Sequence, residues 1–146
     1  VRRPHYHLVD VFTAQPFGGN PLAAMRRIRF RTDVWERSLR AYGQVFAFSM
    51  ETEQATSTVH SRMFAPSMGI AEDPASGVAS GPLGCYLVRH GLVRGNPARI
   101  VSEQGMEMGR PSLIHIEIGQ HDGVMNLVSV GGECVYVGEG SLEIID

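Results

Sequence analysis

Cysteine is scarce in this chain: Cys85 and Cys134 are the only two, they lie far apart, and they form no C-x-x-C pair. That argues against a disulfide framework and suits a reducing cytoplasm. Charge of one sign is also scarce. The formal net charge is −2 with the signs interspersed, which gives no electrostatic reason to expect nucleic acid as a partner. The local cluster Arg26, Arg27, Arg29 and Arg31 reads as a solvated face. The uncharged run Pro74–Val88 is too short and too rich in glycine and serine to span a bilayer, so no membrane is expected. Low-complexity tracts and internal repeats are missing. Val1-Arg2-Arg3-Pro4 leads straight into a strand interrupted by Asp10, with no signal peptide visible.

What remains suffices for one domain over residues 1–146, since 146 residues with 43% hydrophobic content can bury a core without disulfides or metal. The organisation is mostly β. His7–Thr13 alternates, Gln15–Gly19 is a loop, and Leu22–Met25 begins a second strand. Asp33–Tyr42 reads as a short helix, with Thr32 or Asp33 as N-cap and Gly43 as its stop. Gln44–Ser49 and Thr58–Ala65 read as strands around a polar turn, Glu51–Ser57. Four more strands are predicted at Arg99–Ser102, Leu113–Ile118, Val124–Val130 and Cys134–Val137. Gln120-His121-Asp122-Gly123 is the hairpin turn between the second and third of these.

The stretch Arg62–Leu92 is the most informative. From Pro74 to Val88 there is no charge, and Gly, Ala and Ser dominate. A helix built this way has no polar face, so protein must surround it on most sides. Glu72 and Asp73 precede Pro74 at the first helical position, and the helix runs to about His90 with Gly91 behind it. A carboxylate then stands beside free N–H groups and the positive end of the helix dipole, a ready site for an anionic ligand group around Asp73 to Gly77. One long buried helix among about eight strands predicts an α+β fold, with a β-barrel-like sheet wrapped around the central helix. Small residues at Gly77, Ser80, Gly81 and Gly84 would let strand side chains approach, and Pro82 predicts a kink near Val78–Pro82 rather than two helices.

The same residues carry a family resemblance. Glu72-Asp73-Pro74-Ala75-Ser76-Gly77 is similar to the E-D-P-A-T/S-G signature of the PhzF-like phenazine-biosynthesis family, which shares its fold with diaminopimelate epimerase. Arg62-Met63-Phe64-Ala65-Pro66 with Gly69 resembles that family's lead-in. Val9–Thr13 and Phe17–Ala23 resemble its opening strands, and Gln104-Gly105, Gly109–Ser112 and Val130–Gly132 its closing ones. The resemblance implies a half-length member. Residues 1–25 correspond to the family's N-terminal strands and 28–146 to its C-terminal half, with most of the first domain missing. The missing part would hold the N-x-S-E-T segment, whose Glu is the family's proposed proton-transferring base. Ser49-Met50-Glu51-Thr52 imitates that segment, but its neighbours place it on a second-half strand, where Glu51 reads as a solvated strand-end charge.

What the resemblance implies about activity is cofactor-independent proton transfer on a small carboxylate-bearing molecule, an isomerase-type reaction with no cofactor and no metal. Asp73 is the candidate catalytic group; its plain alternative is a helix-terminal charge worth roughly 0.3–1 kcal/mol. Ser76 and Gly77 would bind the substrate carboxylate or merely cap the helix. Asn20 either lies beside the substrate or is a turn residue before Pro21. Val78 stands where the family commonly has Ser, which removes one polar contact. Arg62 reads as a structural partner for a carboxylate, Cys85 as inert core, and Met63, Met68, Met106 and Met108 as core filler. His5 and His7 share a strand face but have no third ligand at useful spacing. The alternative to an enzyme is a catalytically inactive remnant or binding module that keeps the fold without the base. A homodimer is expected with its clefts facing each other, and Val9–Met25 crosses to the partner by strand exchange or stays in its own barrel, with exchange favoured slightly.

Overall fold

The structure is a computed structural model and describes residues 7–11, 20–24, 31–137 and 139; for 7–11 and 20–24 it describes the backbone path. In chain order the elements are β1 (His7–Val11), β2 (Asn20–Ala24), α1 (Thr32–Ser38), β3 (Val45–Ser49), β4 (Val59–Ala65), β5 (Ile70–Asp73), α2 (Gly77–Arg89), β6 (Ala98–Gln104), β7 (Ser112–His121) and β8 (Val124–Gly131). The strands form one mixed sheet in the order β1-β2-β3-β4-β6-β7-β8, with β5 added to β4. It is a half-barrel, and α2 lies in its concavity against β6, β7 and β8.

Period-two alternation divides the sheet cleanly. Phe46 and Phe48 of β3, Val59, Met63 and Ala65 of β4, Ile100 of β6 and Ile114, Ile116 and Ile118 of β7 point to the helix side. There they meet Ala79, Leu83 and Leu87 of α2. The intervening Val45, Ala47 and Phe64 point the other way and close a second cluster around Trp35 of α1. Glycine brings helix and sheet together: a Cβ on Gly84 would lie 2.6 Å from Ile116 Cγ2, and one on Gly81 3.2 Å from Val128 Cγ1. Gly77 has open space around its Cα, so close approach is not its role. The turn Asp122-Gly123 has positive φ at both residues (50° and 77°), the two-residue hairpin geometry that matches strand twist.

Several expectations need correcting. The central helix starts at Gly77 with Ser76 as N-cap, not at Pro74, because Glu72 and Asp73 are drawn into β5 and Asp73 pairs with Met63 of β4. The helix is enclosed along its length as expected: Ala79, Ser80, Gly81, Leu83, Gly84 and Leu87 are buried, no residue from 79 to 88 is exposed, and exposure is confined to the ends, at Gly77, Val78 (85%) and Arg89. Pro82 sits, as expected, inside a single helix rather than between two; the carbonyl it leaves without an i+4 partner belongs to exposed Val78 in the first turn. Cys134–Val137 forms no strand and pairs with none of the described strands, and Val135, Tyr136 and Val137 are exposed. Met63 is core, but Met68 and Met108 are exposed. Of Val9–Met25, the described parts Val9–Val11 and Asn20–Ala24 pair with each other, and β2 runs parallel to β3 with Leu22 opposite Phe46, a pairing that exchange with a second copy would equally preserve.

Candidate active site

One edge of β4 is shared by two strands, and their ends meet there. β6 runs parallel to the first half of β4, with Gln104 opposite Ser61. β5 runs antiparallel to the second half, with Asp73 opposite Met63. β3 occupies the other edge throughout. The last residues of β5 and β6 therefore face each other across the level of Arg62, and the chain leaving β5 must turn at once into α2.

Hydrogen bonds fix that turn. Ser76 Oγ donates to Asp73 Oδ2 at 2.5 Å, and Ser80 Oγ donates to the Ser76 carbonyl at 2.8 Å. The Ser76 N–H donates to Gln104 Oε1 at 3.1 Å, while Gln104 Nε2 donates to the Asp73 carbonyl at 2.7 Å and to Ser76 Oγ at 3.0 Å. Gln104 is fully buried and Ser76 is 8% exposed, whereas Asp73 is half-buried and reachable. Beyond Ser76, the first turn of α2 leaves the N–H groups of Gly77, Val78 and Ala79 without i−4 partners, and Gly77 and Val78 are exposed. Asp73, Ser76 and Gly77 are thus brought together as expected. Asn20 is not among them: it begins β2, three strand spacings from β5, about 14 Å along the sheet. Sequence reasoning does not single out Gln104 as a site residue, although the Gln104-Gly105 pair belongs to the family-like motif.

Gly105 is indispensable to this seat. Its φ is +78°, and a Cβ there would lie 2.8 Å from the Pro74 carbonyl oxygen and closer still to that of Arg110. Gly105→Ala is expected to cost about 1–3 kcal/mol in backbone strain alone. The clash should also push the Pro74 segment off Gln104. Chemical denaturation and the amide shifts of 73–77 would measure the two effects, and unchanged shifts would contradict the packing.

The opposite face of the same strands carries a buried charge network. Alternation sends Glu72 away from Asp73, and Glu103 away from Gln104. Arg62 holds Glu72 in a two-point pair, Nε to Oε1 at 2.7 Å and Nη2 to Oε2 at 2.9 Å, and lies 3.5 Å from Glu107. His60 bridges Glu103 (Nδ1, 2.8 Å) and Glu107 (Nε2, 3.0 Å). Glu103 is fully buried and also accepts the N–H groups of Glu53 (2.6 Å) and Gln54 (3.1 Å), which ties the 51–57 turn to the sheet. Arg62 is therefore the structural carboxylate partner expected of it, and Glu72 is committed elsewhere. Cys85 is partly buried and packs against the core rather than within it, and that burial pushes its thiol up.

The network makes stability depend on pH. Burial pulls His60 down, but Glu103 and Glu107 outweigh it and hold the imidazole above its ordinary value of 6.5. Burial pushes Glu103 up, but the Glu53 N–H and His60 hold it below its ordinary 4.5. The His60 contribution is complete below 6.5 and is lost as pH rises through the raised value. The Glu103 contribution is present above 4.5 and is lost as pH falls through the lowered value. Melting temperatures are expected to peak between these limits, and His60→Gln should flatten the alkaline limb. An alkaline limb unchanged in that variant would contradict the assignment.

An eight-stranded half-barrel holding one apolar helix, with a carboxylate at the strand end before that helix, is an α+β protein of the diaminopimelate epimerase-like fold. Residues 23–140 match the family described as phenazine biosynthesis-like protein, PhzC-PhzF, and the chain belongs to that family. It is 42% identical over 83 residues to the trans-2,3-dihydro-3-hydroxyanthranilate isomerase of Pseudomonas fluorescens, a match covering 56% of this chain and 29% of that protein. An uncharacterised isomerase of Clostridium acetobutylicum is 35% identical over 99 residues (66% and 33%), and one of Mesorhizobium japonicum 31% identical over 128 residues (84% and 42%). The chain thus spans less than half the length of these relatives. The solved phenazine biosynthesis protein of the PhzF family from Bacillus anthracis superposes with a TM-score of 0.60, over 80% of this chain and 46% of that one. At 18% identity it speaks for the fold alone.

Proposed function

We propose that this chain carries the carboxylate-binding and proton-transferring part of a cofactor-independent isomerase, with Asp73 as the group that takes and returns the proton. The observation that carries this reading is the half-buried Asp73, held by Ser76, beside an exposed first helical turn with unspent N–H groups. A substrate carboxylate at Gly77 and Val78 would be stabilised by those groups and by the dipole. Its neighbouring C–H would then lie near the Asp73 carboxylate, as general base catalysis requires. The names of the relatives support an isomerase and a carboxylate-bearing substrate.

Among the described residues no second carboxylate or imidazole contacts Asp73, and that favours a second reading, a binding module without turnover. The two readings separate in deuterium oxide with trans-2,3-dihydro-3-hydroxyanthranilate as the first probe. Deuterium incorporation supports the isomerase; saturable binding with no incorporation leaves the binding module.

The proposal extends to a homodimer in which two copies of Asp73 face one cleft and serve each other as acid and base. Uncovered apolar side chains support association: Val78, Leu127, Val128 and Val130 around α2 and β8, then Val135, Tyr136 and Val137. Sedimentation equilibrium at micromolar concentration is expected to give twice the chain mass. A monomer would remove this route to a second group.

A further inference from the structure

We propose that Gln104 is the positioning residue that decides which oxygen of Asp73 handles the proton; the inference rests on the reading of Asp73 given above. Two backbone groups, each with a single possible role, fix the orientation of the Gln104 amide. The Ser76 N–H can only donate and meets Oε1 at 3.1 Å; the Asp73 carbonyl can only accept and meets Nε2 at 2.7 Å. The second N–H of Nε2 is then left for Ser76 Oγ at 3.0 Å. An amide nitrogen cannot accept, so Ser76 Oγ must spend a lone pair on Gln104 and send its own single proton to Asp73 Oδ2, 2.5 Å away. Burial of Gln104 and Ser76 keeps water from offering the hydroxyl another acceptor.

The relay runs one way, from Gln104 through Ser76 to Asp73. Oδ2 is an acceptor whether Asp73 is ionised or neutral, because the carbonyl oxygen of a neutral carboxyl also accepts. Oδ1 has no hydrogen-bond partner among the described residues and is the oxygen left to react. In the forward step the substrate C–H bond breaks and an O–H bond forms at Oδ1. The electron pair stays on the carbon, delocalised towards the substrate carboxylate. In the return step Oδ1 gives the proton back to carbon. Gln104 touches neither substrate nor proton; it acts by holding the Ser76 hydroxyl in one direction.

The test uses two readouts on the full chain with Gln104→Leu, Gln104→Glu and Ser76→Ala. The first is the solvent isotope shift of the Asp73 carboxyl carbon between water and deuterium oxide, which reports the Ser76 hydrogen bond with or without turnover. It is expected in the wild type and absent from Ser76→Ala and Gln104→Leu. A wild type without the shift, or Gln104→Leu retaining it, overturns the relay. The second is deuterium incorporation into the cyclic hydroxy-amino acid probe used above. Gln104→Leu is expected to lose about 100-fold in rate with little change in probe affinity, as for a misplaced reacting group. Gln104→Glu keeps an acceptor for the Ser76 N–H, and so keeps the fold of the turn. Its new carboxyl can donate to Ser76 while neutral, but reverses the hydroxyl once ionised. Its rate should therefore fall with rising pH where the wild type stays flat, and a profile parallel to the wild type overturns the relay. A wild type that shows the isotope shift but incorporates no deuterium overturns the catalytic reading of Asp73 and leaves the hydrogen-bond direction established.

Discussion

Replacing Glu103 by alanine is expected to lower the unfolding free energy by about 3–5 kcal/mol, the usual cost of removing one partner of a buried ion pair. Glu103 is fully inaccessible and accepts from the Glu53 N–H, the Gln54 N–H and His60 Nδ1. Truncation strands two backbone donors, each worth about 1–3 kcal/mol when unsatisfied, and leaves His60 with Glu107 alone. A domain of ordinary stability, about 5–15 kcal/mol in all, would be brought close to unfolding. Glu103→Gln should cost less, since it keeps the volume and one acceptor. Trp35, the single tryptophan and 3% exposed, reports the urea transition by fluorescence. An alanine variant within about 1 kcal/mol of wild type would show that the network does not hold the 51–57 turn to the sheet.

Asp73→Asn is expected to abolish proton exchange, with a loss of about 10²–10⁴-fold for removal of a general base. The amide keeps the size of the carboxylate and can still accept from Ser76 Oγ, so the turn Asp73–Ser76 should survive. Melting temperature and the Ser76 amide shift provide that control. Equal exchange by wild type and variant would reject Asp73 as the base. Ser76→Ala should fall between the two, since it leaves the carboxylate present but no longer oriented.

Much of this architecture is legible from local pattern. Alternation along β3 and β4 separates the two faces, Asp122-Gly123 announces its hairpin, and Gly91 (φ 67°) lies just past the end of α2. The Glu72–Gly77 signature points to the site without any structure. What stays hidden depends on pairing between distant segments. Glu72-Asp73 looks like the lead-in to a helix because nothing local reveals that β4 has a free half-edge beyond Ser61. Once β5 takes that half-edge, Asp73 becomes a strand end, and Gln104, 31 residues on, becomes its neighbour. The charge network is hidden for the same reason. His60, Arg62, Glu72 and Glu103 are ordinary surface types, and only the sheet order buries them together. Cys134–Val137 has a strand's pattern but no partner among the described strands, which shows that propensity alone does not make a ladder.

Whether a carboxylate binds at the first turn of α2 beside Asp73 is decided by titrating ¹⁵N-labelled protein with benzoate, a carboxylate that cannot react. Saturable shifts are predicted at the amides of Gly77, Val78 and Ala79, with little movement at Ser76, whose N–H is already held by Gln104. They should strengthen in Asp73→Asn, where the competing negative charge is gone. Saturable shifts confined to other parts of the molecule, or none at these three amides in either protein, would contradict binding there.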